Sequence, residues 1–105
     1  MKLNITSQKE GSTLLMALDG SLDTQSSPEM VKELDSNLDG VKELIFDFDR
    51  LTYVSSTGLR AILESLRKME EKGTMKIINV PEVVMEVFEI TGLAENLNIE
   101  NVKKD

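Results

Sequence analysis

Apolar residues recur at every second position in two stretches near the start of the chain, Leu3 and Ile5 and then Leu14, Met16 and Leu18. That is the period of a half-buried strand. Lys9-Glu10-Gly11-Ser12 separates the stretches with turn-forming residues, so the pattern predicts a hairpin. Asp19-Gly20 reads as a second turn. In Ser26-Ser27-Pro28-Glu29 a serine precedes a proline and a glutamate, the order expected of an N-cap and a first helical turn. Met30, Val31, Leu34 and Leu38 mark one face of the helix that follows.

Leu44-Ile45-Phe46 is a short apolar run between charged residues and predicts an interior strand ending at Asp47-Phe48-Asp49. The strongest helical signal comes next. Leu59, Ile62, Leu63, Leu66 and Met69 keep helical spacing while Arg60, Glu64, Arg67, Lys68 and Glu71 cover the opposite side, which predicts a helix from Ser56 to Lys72 ended by Gly73. Met75-Lys76-Ile77-Ile78 reads as a further strand. Pro81 opens a helix with Val84, Val87 and Phe88 inward, and Gly92 stops it. Leu97-Asn98-Ile99 is expected as a short edge strand, and Val102-Lys103-Lys104-Asp105 as a fraying tail. Strands alternating with helices after an opening hairpin imply an α/β fold, a mixed sheet of four or five strands with helices packed mainly on one face. With 105 residues and no repeats or linkers, residues 1–105 are expected to form one domain.

Composition narrows the chemistry. Aromatic residues are only 4% of the chain, so the core must come from Leu, Ile, Val and Met. Cysteine is absent, which removes disulfides, thiolate nucleophiles and thiolate metal ligands. Histidine is absent too, and with it the commonest general base near neutral pH and the commonest zinc ligand. The expectation is a non-enzyme with no metal and no cofactor. A formal net charge of -7 disfavours nucleic acid and anionic membranes as partners and favours neutral or basic protein surfaces. No apolar run approaches the roughly 20 residues of a membrane span, and Met1-Lys2-Leu3-Asn4 does not begin a signal peptide, so the chain is expected in the cytoplasm as a monomer or weak dimer.

Two stretches carry candidate chemistry. In Leu51 to Leu63 three consecutive hydroxyl residues, Ser55, Ser56 and Thr57, stand where a loop passes into the strongest helix. One hydroxyl there caps orphan N–H groups. One could also accept a phosphate, whose added charge of about −1.5 to −2 is favoured at the positive end of a helix. Gly58 in the first turn weakens the helix relative to alanine and suggests close approach of another backbone. Elsewhere, Asp47 and Asp49 after a buried strand, followed by Thr52, are compatible with an aspartate-nucleophile phosphatase, or simply with acidic residues at a strand end.

Leu51 through Leu63, with Ser55-Ser56-Thr57-Gly58-Leu59 at its centre, resembles the signature of STAS-domain anti-sigma factor antagonists. The resemblance extends to Asp19-Gly20-Ser21-Leu22-Asp23-Thr24, to the order of strands and helices, and to Pro81 and Val87-Phe88-Glu89-Ile90-Thr91-Gly92-Leu93. It implies a STAS-like fold and a partner-switching role. In that role the unphosphorylated antagonist binds an anti-sigma factor that is also a serine kinase, and so frees a sigma factor; phosphorylation ends the binding and a serine phosphatase restores it. By position Ser56 corresponds to the phosphorylated serine, with Ser55 and Thr57 as neighbouring alternatives, and Asp23 to the family's acidic loop residue. Asp23, Thr24, Ser55, Ser56, Thr57, Gly58 and Arg60 are then the expected partner-facing set. Many members carry an acidic residue immediately before the phosphorylated serine; here it is Ser55, which leaves the choice between Ser55 and Ser56 open. A constitutive interaction module without phosphate control and a small phosphatase built on Asp47 are the competing functions.

Overall fold

The computed structural model describes residues 3–101; the tail expected to fray, from Val102 onward, lies outside them. Strands β1 (Leu3–Glu10) and β2 (Thr13–Leu22) form the predicted hairpin. Then come α1 (Ser27–Asn37), β3 (Glu43–Val54), α2 (Ser56–Glu70), β4 (Thr74–Ile78), α3 (Glu82–Ile90), a 3-10 turn (Leu93–Glu95) and β5 (Ile99–Glu100). The sheet has five strands in sequence order; β1 is antiparallel to β2, and every later pair is parallel.

Register explains where the core sits. Leu14, Leu44 and Met75 lie side by side across β2, β3 and β4, as do Met16, Phe46 and Ile77, and all six are buried. Their neighbours along each strand point the other way: Leu15, Ile45 and Lys76 share a row that no helix covers, and all three are only half-buried. The helices therefore cover one face. Met30 and Leu34 of α1, Ile62 and Met69 of α2, and Val84 and Phe88 of α3 close over it. Phe48 stacks obliquely between Phe46 and Phe88, with ring centroids 5.5 and 6.4 Å away.

Four expectations are corrected. Asp19-Gly20 is not a turn: β2 runs through it to Leu22, and Gly20, at φ 121°, sits at a bulge that an L side chain would strain. β3 does not end at Asp47-Phe48-Asp49 but continues to Val54, with the register slipping twice on the way. The last helical residue of α2 is Glu70 rather than Lys72. Its most buried face is also rotated from the expected one: Gly58, Ala61, Ile62, Ser65 and Met69 are buried, while Leu59, Leu63 and Leu66 are half-buried. Ser65 is accommodated because its hydroxyl donates to the Ala61 carbonyl at 2.9 Å.

Candidate functional site

β2 and β3 are parallel neighbours that end level, with Leu22 opposite Val54. The loops that leave them therefore emerge side by side. In the first loop, Asp23 turns its carboxylate inward: Oδ1 accepts from the backbone N–H of Gln25 and of Ser26, each at 3.0 Å. The expected N-cap, Ser26, occupies the cap position without capping, because its buried hydroxyl donates to the Ser21 carbonyl at 2.7 Å and to Asp23 Oδ1. Asp23 supplies the helix-entry acceptor instead. The Ser26 N–H, foremost among its partners, holds the Asp23 carboxyl below its ordinary value of 3.8, so it is ionised at neutral pH. The Ser27 hydroxyl donates to the Asp23 carbonyl at 2.6 Å, a further tie within the loop.

The second loop is a single extended residue, Ser55, whose N–H donates to the Leu22 carbonyl at 2.9 Å. Its hydroxyl accepts from the Gly58 N–H at 3.1 Å, so Ser55 is the N-cap of α2. Gly58 lies against Leu22: a Cβ there would stand 2.5 Å from the Leu22 carbonyl oxygen, which is the close backbone approach expected of this glycine. The first loop meets the start of α2 at Thr24 and Thr57, whose hydroxyl oxygens are 3.3 Å apart.

Of the three hydroxyl residues, Ser55 is occupied by capping and Thr57 faces Thr24. Ser56 is exposed in the first turn of α2, and its hydroxyl has no hydrogen-bond partner among the described residues. Arg60, one turn on, is also exposed and lines a groove of about 640 Å³ between α1 and α2. Pro28, Val31 and Lys32 form the α1 wall of that groove, Thr57, Arg60 and Glu64 the α2 wall. Lys68 bridges the two helices through Asp35 at 2.5 Å, with Glu64 3.5 Å away. The hydrogen bond to Asp35 raises the Lys68 pKa above its ordinary 10.5.

All seven predicted partner-facing residues thus fall at one end of the sheet, although Asp23 spends its carboxylate on its own loop and Gly58 is buried. Sequence reasoning missed the role of Ser26 and the α1 wall of the groove. The three-residue step from Asp23 to Ser26 was a usable signal, since a short acceptor placed three before a second polar residue is the spacing of a capping turn. Asp47 lies elsewhere, half-buried on the uncovered sheet face, where its Oδ1 accepts from the Asp49 N–H at 3.0 Å. Thr52 is roughly 15 Å farther along the strand, with its hydroxyl on the Gly20 carbonyl. The correction to the phosphatase reading is geometric: Asp47 is inside a strand and not at the strand end where such a nucleophile would stand.

These features define a small α/β module that presents one free serine hydroxyl at a helix start, beside a pinned loop and an interhelical groove. The chain belongs to the STAS domain family, whose sequence model matches residues 4–105. It is 26% identical over 101 residues to the anti-sigma-B factor antagonist of Staphylococcus aureus, covering 94% of each chain. It is 27% identical over 104 residues to BtrV of Bordetella bronchiseptica, whose name places it provisionally among the anti-sigma factor antagonists; 97% of this chain and 90% of that protein are covered. In fold it matches the unphosphorylated form of the anti-sigma factor antagonist SpoIIAA with a TM-score of 0.83 at 21% identity, over 96% of this chain and 90% of that one.

Proposed function

We propose that the protein is a cytoplasmic anti-sigma factor antagonist that docks on an anti-sigma factor serine kinase and is released by phosphorylation of Ser56. The observation that carries this reading is the division of labour among the hydroxyls. Ser55 is consumed as the cap and Thr57 faces Thr24 and lines the α1–α2 groove, which leaves Ser56 exposed and without a hydrogen-bond partner among the described residues. The S. aureus relative, named an anti-sigma-B factor antagonist, supports the role.

In the proposed switch the Ser56 hydroxyl attacks the γ-phosphorus of ATP, loses its proton and displaces ADP. Helix α2 tolerates the product, because a phosphate at the first turn faces the positive end of the helix dipole. The interface does not. A dianion set into a close protein contact must shed water and meets any acidic neighbour on the partner, and each 1.4 kcal/mol lost there weakens affinity about tenfold. A serine phosphatase hydrolyses the ester and restores the docking surface.

The test is intact-mass and peptide-mapping analysis after incubation with a candidate anti-sigma kinase and ATP. One phosphate on Ser56, absent from Ser56→Ala, is expected, together with weakened kinase binding by Ser56→Asp. Modification of Ser55 or Thr57 instead would overturn the assignment. Equal binding by Ser56→Ala and Ser56→Asp would establish a constitutive interaction module.

A further inference from the structure

Helix α3 is apolar on two sides. Val84 and Phe88 are buried in the core, and Met85 packs against it. At about 100° per residue, Val83, Val87 and Ile90 fall within an arc of about 60° on another side of the helix. Val83 is 56% and Ile90 85% exposed, and Val87 between them, expected inward from the sequence, is only half-buried because the helical turn places it with Val83 rather than with Val84 and Phe88. Single exposed apolar residues are ordinary. These three are successive steps of one stripe, and a helix that is apolar around most of its circumference is normally covered.

The charge beside the stripe says what covers it. The same geometry places Glu82, Glu86 and Glu89 in a neighbouring arc of about 60°, along one edge of the apolar stripe. The helix Glu82–Ile90 has no basic residue, and none of the three glutamates is ion-paired among the described residues. A second copy of the chain fits poorly: a two-fold contact would set one glutamate row beside another in a protein of net charge -7. A partner helix with a leucine-like stripe and a row of Lys or Arg along one flank satisfies both features.

We propose that the outward face of α3 is a second docking surface, which takes a basic amphipathic helix of a partner protein. No α3 residue lines the α1–α2 groove, so the two surfaces share no residue. The α3 partner therefore stays bound whatever the state of Ser56, and the surface acts as a tether independent of the switch.

The experiment titrates the ¹⁵N-labelled full chain with a designed helical peptide bearing a Leu stripe flanked by Lys, and with a matched peptide bearing Glu for Lys. With the Lys peptide, amide shifts are expected to centre on residues 82–90. Ile90→Asp and, separately, Val83→Asp should each weaken binding at least tenfold while leaving the circular dichroism spectrum unchanged. Glu86→Lys with Glu89→Lys should reverse the preference between the peptides, and Ser56→Asp should leave it unaltered. Shifts centred on the α1–α2 groove or the uncovered sheet face would overturn the proposal. So would equal affinity for both peptides, or self-association of the wild type that Ile90→Asp abolishes. None of these outcomes depends on whether any kinase modifies Ser56.

Discussion

Replacing Gly58 by alanine sets two effects of opposite sign against each other. In a helix interior the substitution ordinarily stabilises by about 1 kcal/mol, because alanine has less backbone entropy to lose. Here the new methyl would stand 2.5 Å from the Leu22 carbonyl oxygen, 3.0 Å from Leu22 Cγ and 3.1 Å from Val54 Cγ1. The nearest atom belongs to the backbone and cannot rotate away. That oxygen also accepts the Ser55 N–H at 2.9 Å, so moving it lengthens a hydrogen bond whose net worth is about 1 kcal/mol. Overpacking a rigid site costs typically 1–3 kcal/mol. The unfavourable effects win, and Gly58→Ala should be destabilised by about 2 kcal/mol, or a fall in Tm on the order of 10 °C for a chain of this size. Urea unfolding and a thermal melt measure it, with Arg67→Ala on the exposed face of the same helix as the reference, expected within about 0.5 kcal/mol of wild type. A Gly58→Ala protein as stable as wild type would refute the argument, since it would mean that Leu22 and the start of α2 can separate freely.

Ser55→Ala should lose about 1 kcal/mol of stability with the N-cap, and Ser55→Asp should recover it, as read by urea midpoint; equal loss in both would show that the hydroxyl does something other than capping. Asp23→Asn keeps an acceptor oxygen but drops the charge. Because the folded pKa lies below 3.8, the ionised carboxylate stabilises the protein above that value, so the variant should be the less stable at pH 7. The gap should close as pH falls through the folded pKa, checked by urea unfolding at pH 7 and pH 3. Lys68 has the opposite sign. Its pKa is raised above 10.5, so its contribution is complete below that pH and is lost as pH rises through the folded value; Lys68→Met should cost no more than about 1 kcal/mol at pH 7 and nothing once the pH is well past the folded value.

Where one face of an element is buried and the other is wet, periodicity reports burial directly. Leu14, Met16 and Leu18 on β2 and Met30 and Leu34 on α1 were legible for that reason, and all five are buried. The second half of β3 was not. Alternation fails there because Asp49 with Arg50, and Thr52 with Tyr53, are consecutive exposed pairs, so a charged run inside a strand looks like its end. The face of α2 was misjudged for a different reason. Gly58, Ala61 and Ser65 are small or polar and carry little weight in a hydrophobic pattern, yet they let the helix lie closest to the sheet, and all are buried. At the candidate site the run of hydroxyls located the helix start, but residue types alone could not say which serine caps.

The same irregularity in β3 brings the site together. β2 has 10 residues and β3 has 12, yet both ends of the pairing are level, Thr13 with Glu43 and Leu22 with Val54. Two register shifts, between Ala17 and Asp19 and between Gly20 and Ser21, each absorb one extra residue of β3. Bulges of this kind re-aim a strand without breaking it. An unbulged β3 would run past the end of β2 by two residues, about 7 Å at strand rise. Thr57 would then lie beyond reach of Thr24, 33 positions away in sequence, and Gly58 would face solvent instead of the Leu22 carbonyl. Side chains recognised one loop at a time therefore become one surface only because the strands beneath them end together, and that depends on where two bulges fall, which no local spacing rule records.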